Sequence, residues 1–299
     1  MRGGSHMPKF CFSNMRDEQL KLLWTARIDY RNHSGVKLHD HSDFHQLLVV
    51  LEGSGTIRIG DQVSVLSAMR YYLLSERVPH EFLFETEGIT LDYKFGIQNE
   101  QIKHWLLSQA PTGELPQGCL ESLKRTFQLS QRYKQKQQDI LPLAIDSLFK
   151  STLLQLFMNG TDLHAGGSAI HQDRSFEMAD YVHQHYTEPL SLTYIADHFR
   201  FHPHHVIYLF RKHTGVTPGQ YIQQVRLERA KELLEFTRLS VTEIAEQLTW
   251  TLPYFSRLFR AKVGAAPAAY RETIRSAVGH DLILSDDFAN TWRIEDTDG

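Results

Sequence analysis

Apolar and polar positions along this 299-residue chain change rhythm twice, and each change predicts a different kind of structure. Between residues 37 and 95 the apolar runs are short and cut by turn formers. Gln46-Leu-Leu-Val-Val-Leu51 reads as a buried strand ended by Gly53-Ser54-Gly55, and Thr56-Ile-Arg-Ile59 alternates and stops at Gly60-Asp61. Val63-Ser-Val-Leu66 and Tyr71-Tyr-Leu-Leu74 continue the series. Strands this close together, without helices between them, predict an antiparallel sandwich or small barrel. From Asn99 to Asn159 the spacing becomes helical: Leu120, Leu123 and Phe127, then Leu141, Ile145, Leu148, Phe149, Leu153 and Leu156 recur at three- and four-residue steps. The polar stretch from Gln131 to Asp139 interrupts them as a solvated face or a break, and Asn159-Gly160 ends the last helix.

The remaining chain is helical again and repeats itself at a fixed offset of 49 residues. Leu190-Ser-Leu-Thr-Tyr-Ile-Ala196 matches Leu239-Ser-Val-Thr-Glu-Ile-Ala245, and Leu209-Phe-Arg211 matches Leu258-Phe-Arg260. Gly215, Pro218 and Tyr221 match Gly264, Pro267 and Tyr270, which gives 11 identities over 32 ungapped positions. Each copy predicts a helix-turn-helix. Ser191 and Ser240 stand at N-caps, Ser240 with Glu243 as a capping box, and the turns centre on Phe201-His202 and Trp250-Thr251. The second helices start near Pro203 and Pro253. Val206, Leu209 and Phe210, with Phe255, Leu258 and Phe259, are core by spacing, which turns His204, His205, Tyr208, Arg211, Tyr254, Ser256, Arg257 and Arg260 outward. Such a face suits major-groove reading: Arg grips guanine bidentately, and aromatic groups touch thymine methyls. Arg211 and Arg260 are expected on phosphates, where Ser191 and Ser240 can also help at helix starts.

Composition adds few constraints: 41% hydrophobic, 22% charged and a net charge of −3. The charge is unevenly placed. Residues 174–275 carry 13 Lys and Arg against 10 Asp and Glu, whereas residues 276–299 carry one Arg against six acids. The basic excess thus coincides with the repeat, as a nucleic-acid footprint requires. Cys11 and Cys119 have no CxxC partner and suit a reducing, cytoplasmic setting. No run approaches the length of a membrane span. The expected organisation is multidomain α+β. Residues 1–7 read as an expression tag, 8–98 as an antiparallel β-barrel and 99–160 as a helical segment for homodimerisation. A linker at 161–173, an all-α domain at 174–275 with two helix-turn-helix units, and an acidic tail at 276–299 follow.

Over residues 174–275 the sequence resembles the AraC/XylS family of bacterial regulators. Pro218-x-x-Tyr221-Ile-x-x-x-Arg226-Leu-x-x-Ala230-x-x-Leu233-Leu234 resembles the family's connecting helix. Tyr254-Phe-Ser-Arg-Leu-Phe-Arg260, with Gly264, Pro267 and Tyr270-Arg271, resembles its C-terminal signature. The resemblance implies two units joined by the 218–236 helix and entering successive major grooves. Two positions depart from the pattern: Thr249-Trp250 replaces a Gly-aromatic turn, and Tyr208 stands where Arg is usual.

Residues 9–97 resemble the cupin-type sensor of such regulators through His39-Asp-His41-x-x-x-His45, Gly53-x-Gly55 and Pro79-His80. His39, His41 and His45 share parity along an extended chain, which predicts that they face one side with His80 nearby. Either four imidazoles hold Zn, Fe, Ni or Cu, or they shape a pocket for a sugar or similar polar metabolite; the pocket is the expected role, with no cofactor. The leading expectation is a non-enzymatic, effector-responsive regulator binding promoter DNA, and RNA polymerase if it activates. A metal-dependent cupin enzyme fused to a DNA-binding module, or an effector-independent DNA binder, are the alternatives.

Overall fold

A computed structural model describes residues 19–136, 140–158 and 176–275, with the short strands 282–283 and 295–296. The expected tag, the linker and Cys11 lie outside the described residues. The chain divides into two compact units, one of Met1–Gly160 with Ile274–Gly299 and the other of Thr161–Thr273.

The first unit is built on two antiparallel sheets. Its strands in the N-terminal region are β1 (Leu20–Tyr30), β2 (Ser34–His39), β3 (His45–Glu52), β4 (Ser54–Ile59), β5 (Gln62–Ser67), β6 (Arg70–Leu74), β7 (His80–Phe84), β8 (Gly88–Ile97) and β9 (Thr112–Glu114). Two short strands follow near the C-terminus, β10 (Leu282–Ile283) and β11 (Glu295–Asp296). One sheet runs β10-β1-β8-β3-β6-β9 and the other β11-β2-β7-β4-β5. The expected barrel is therefore an open double sheet: among the described residues no ladder joins the two. The acidic tail, unassigned on sequence grounds, supplies an edge strand to each sheet, β10 beside Trp24 and Thr25 and β11 beside Ser34 and Gly35.

Between the sheets lies an apolar core that includes Trp24, Ile28, Tyr30, Leu48, Val50, Phe82 and Phe84. Alternation explains the opposite face of the first sheet. Leu47 and Val49 pair with Tyr93 and Leu91 and turn away from that core. The covering helices include α1 (Glu100–Leu107), α2 (Gln117–Lys136) and α3 (Leu141–Phe157). On α3, Ile145, Phe149, Leu153 and Leu156 are buried, and Phe149 lies 5.5 Å from the Tyr93 ring and 5.3 Å from that of Phe95. The apolar stripe read as a dimer interface thus packs largely on the protein's own sheet. Leu22 N–H, at a bulge in β1, donates to Asp146 Oδ1 on α3 at 2.9 Å and pins the helix there.

Gly53-x-Gly55 serves two needs. Gly53 has φ +100°, a turn conformation, whereas a Cβ on Gly55 would sit 1.9 Å from the Leu83 carbonyl oxygen of the neighbouring strand.

The second unit is helical: α4 (Glu177–His185), α5 (Leu192–His198), α6 (Pro203–Thr214), α7 (Pro218–Phe236), α8 (Val241–Gln247), α9 (Leu252–Val263) and α10 (Pro267–Ile274). The local signals act as expected. Ser191 Oγ accepts from Tyr194 N, and Ser240 with Glu243 forms a reciprocal capping box. Gly215 and Gly264 close α6 and α9 at φ 77° and 92°. One apolar cluster forms around Val206 and Phe210 and another around Phe255 and Phe259.

Candidate nucleic-acid interface and effector site

The two helix-turn-helix units superimpose in their chemistry. In both turns a non-glycine residue adopts the left-handed conformation, Arg200 and Thr249 each at φ 56°. Thr249 thus occupies the conformation that a glycine usually supplies, and the departure in sequence leaves the turn intact at a cost of about 1–3 kcal/mol in backbone strain. On α6, His204, His205, Tyr208 and Arg211 are exposed while Val206 and Phe210 are buried. On α9, Tyr254, Arg257 and Arg260 are exposed, Ser256 is half-buried, and Phe255 and Phe259 are buried. Leu209 and Leu258, expected in the cores, are only half-buried, Leu209 packing against the margin of the first cluster. The last turns carry Arg211, Lys212 and His213 on α6, and Arg260 and Lys262 on α9.

The two faces differ in detail. Phe201, His205 and Tyr208 form an aromatic row, with ring centroids 5.0 Å and then 6.0 Å apart. Tyr254 Oη accepts from Gln223 Nε2 on α7 at 2.8 Å, so the connecting helix steadies the second face. Pattern reading missed Gln223, whose role depends on a tertiary contact. Each face presents donors and rings at the same places on a pre-packed helix, which is what a groove reader needs.

In the first unit, three of the four singled-out histidines come together. One ring nitrogen from each of His39, His41 and His80 lies within 4.8 Å of the others. Their ring centroids are 4.4 to 4.8 Å apart. His39 Nδ1–H donates to the Lys37 carbonyl at 2.8 Å, and His80 Nδ1–H to that of Val78 at 2.9 Å. His41 Nε2–H donates to Gln46 Oε1 at 3.2 Å, and Gln46 Nε2 donates to Asp92 Oδ1 at 2.8 Å. Burial lowers the His41 ring to about 3 and the His80 ring to about 4, so both are neutral at pH 7. Burial also raises Asp92 to about 6, against hydrogen bonds from Thr90 and Gln46 and the Lys94 charge. A small, partly open space next to the cluster is lined by Tyr30, Val36, His39, Gln46, His80 and Phe82.

His45 does not join them. β2 ends at His39 and β3 starts at His45, so the chain between is not extended and the parity rule fails across it. On β3, Gln46 faces the interior in its place, a residue the sequence reading passed over. His45 stacks on Phe95 at 5.5 Å on the opposite side of the sheet and accepts from Glu76 N at 3.3 Å.

Burial lowers the His45 imidazole from 6.5 to about 4, with the Glu76 carboxylate opposing and the Lys103 ammonium adding to the shift. Its folded pKa lies below the unfolded one. The stability held by the neutral ring is therefore intact above pH 6.5 and is lost as pH falls toward 4. This group should cost about 2 kcal/mol between pH 7 and 5. Urea titrations of the parent and of His45→Gln at both pH values test it. The drop should be smaller by that amount in the variant, and an equal drop would disprove it.

A double-sheet unit with a polar cluster between its sheets, followed by paired helix-turn-helix units, fits one class: a DNA-binding regulator with a ligand-binding domain. Residues 25–158 match the AraC-like ligand binding domain and residues 195–273 a helix-turn-helix domain. The chain belongs to the AraC family of transcription regulators. It is 28% identical over 262 residues, 82% of each chain, to the uncharacterized HTH-type transcriptional regulator YfiF of Bacillus subtilis. To the HTH-type transcriptional activator RhaS of Escherichia fergusonii it is 26% identical over 260 residues, 83% of this chain and 92% of that one. Among solved structures, the C-terminal domain of AraT, a response regulator from Geobacillus stearothermophilus, covers 34% of this chain and 87% of its own at 28% identity, with a TM-score of 0.33. No described helix is long and apolar enough to cross a membrane.

Proposed function

We propose that the chain is an effector-responsive regulator that reads its operator through α6 and α9 and binds a small polar effector, such as a sugar, beside His39, His41 and His80. It acts without catalysing a reaction, and contacts RNA polymerase if it activates. The observation that carries the reading is the duplicated exposed face, His205-Tyr208-Arg211 on α6 and Tyr254-Arg257-Arg260 on α9, each on a helix whose other side is core. Arg257 lies in mid-helix, where a bidentate grip on guanine is worth about 1–3 kcal/mol. Arg257→Ala should weaken specific binding by that amount and relax base preference at one position of the site. Arg211→Ala and Arg260→Ala should instead weaken binding to all sequences alike and reduce the salt slope by about 1. Gel-shift titrations against single-base operator variants decide it; unchanged affinity and preference in Arg257→Ala would remove α9 from the reading.

Homodimerisation belongs to the same proposal, through the outer side of α3. Ile140, Leu154 and Met158 are exposed there, whereas Leu156 is core and unsuited as a probe of assembly. Leu154→Glu with Met158→Glu should yield monomers in sedimentation without loss of fold. A parent already monomeric at micromolar concentration would overturn the dimer.

A further inference from the structure

We propose that His39, His41 and His80 are a binding site for one divalent transition-metal ion of the zinc, nickel, copper and iron class. This rests on the reading of the first unit as the effector domain: the ion would offer its open position to an oxygen of the polar effector. Three features of the cluster point to a metal rather than to a pocket wall.

The first is that every ring has its spare proton already placed. His39 and His80 spend their Nδ1–H on the backbone carbonyls of Lys37 and Val78, which leaves the Nε2 lone pair of each for a ligand. His41 spends its Nε2–H on Gln46 Oε1, which leaves Nδ1. The orientation of the Gln46 amide is in turn held by Asp92, because its Nε2 donates to that carboxylate. Imidazole metal ligands characteristically give their other N–H to a carbonyl or carboxylate system, which fixes tautomer and direction.

The second is an unmet need. His80 Nε2 is buried and has no hydrogen-bond partner among the described residues. A buried polar atom left so is costly unless something absent from the bare chain satisfies it. The space beside it is lined by His39 and Gln46 as well.

The third is reach. Ring nitrogens within 4.8 Å of one another need draw in only to the roughly 3.3 Å that a tetrahedral ion with bonds of about 2.0–2.1 Å requires. Three protein ligands leave a fourth position for water or an oxygen donor.

Charge around the cluster is balanced. Lys94 Nζ, 4.7 Å from the Trp24 ring and 4.9 Å from that of Phe44, adds positive charge near His41, whose ring stacks on Phe44 at 4.2 Å. The Asp92 carboxylate, linked through Gln46, and the Asp40 carboxylate near His80 oppose it.

The full chain, stripped with chelator and titrated with Co2+, tests the site. About one equivalent per chain should bind with a visible ligand-field band that Zn2+ displaces. His39→Ala and His80→Ala should abolish the band, and Gln46→Leu should weaken Co2+ binding by about 10–100-fold by freeing His41. His45→Gln should leave it unchanged, and thermal melts of each stripped variant separate lost ligation from lost fold. No band in the parent, or an undiminished band in a folded His39→Ala or His80→Ala, overturns the metal site. Operator binding by the stripped parent is read in parallel, so a failed metal site and a failed regulator give different results.

Discussion

Arg226→Ala is expected to cost the DNA-reading unit about 3–5 kcal/mol and to weaken both helix-turn-helix units together. Arg226 is buried on α7, the helix that joins the two. Its Nε donates to the Tyr186 carbonyl at 2.7 Å and its Nη2 to the Glu188 carbonyl at 2.5 Å, both just past the end of α4. Its guanidinium also lies 5.9 Å from the Trp250 ring, at the turn of the second helix-turn-helix. One side chain therefore holds the entry to the first unit and the turn of the second against the shaft between them. Removing it strands two carbonyls that had charged donors, each such bond being worth about 1.5–3 kcal/mol. Arg226→Lys keeps the charge but cannot present a planar fork to two carbonyls, so it should recover only part of the loss. Denaturant midpoints of the full chain, with operator titrations on the same samples, test this. An unchanged midpoint, or selective damage to one half-site, would show that Arg226 does not join the two units.

Arg226 marks where sequence reading stopped. Its position inside the Pro218–Leu234 pattern was visible, but its partners lie 38 and 40 residues away. What was legible is what acts locally. Ser240 and Glu243 cap over three residues, Gly215 and Gly264 take positive φ where α6 and α9 end, and the strands around Leu47, Ile57 and Tyr72 show through alternation or a short apolar run. β1 was missed because both its faces are covered. Trp24, Ala26 and Ile28 look to one side and Thr25 and Arg27 to the other, all buried, so no alternation of character remains. β10 and β11 are two residues long and exist only by pairing with β1 and β2. At the candidate effector site, His39, His41 and His80 were identified in the sequence. The exchange of His45 for Gln46 was not, because it follows from where β3 begins.

Asp29→Ala should cost the first unit about 3–5 kcal/mol. Arg27 is wholly buried on β1 with 0% side-chain exposure, and Asp29, two residues on, shares its face. Two contacts join them: Nη2 lies 2.8 Å from Asp29 Oδ1 as an ion pair, and Nη1 donates to Oδ2 at 3.1 Å. Arg275, directly after α10, places its Nε 3.3 Å from the same Oδ2, so one carboxylate also holds the point where the chain re-enters this unit. The buried guanidinium cannot shed its charge, since an arginine side chain is not deprotonated in proteins. Truncating Asp29 therefore takes one carboxylate from a cation held in the interior, and that desolvation makes the loss larger than the pair's own contribution. The argument has a distinctive consequence. Arg27→Met should be milder than Asp29→Ala, and Arg27→Met combined with Asp29→Ala should restore much of the stability, because no charge is then buried. Denaturant midpoints for the four chains form the cycle. If the double variant loses the sum of the two single losses, the two residues act independently. The stability of β1 would then come from its apolar face alone.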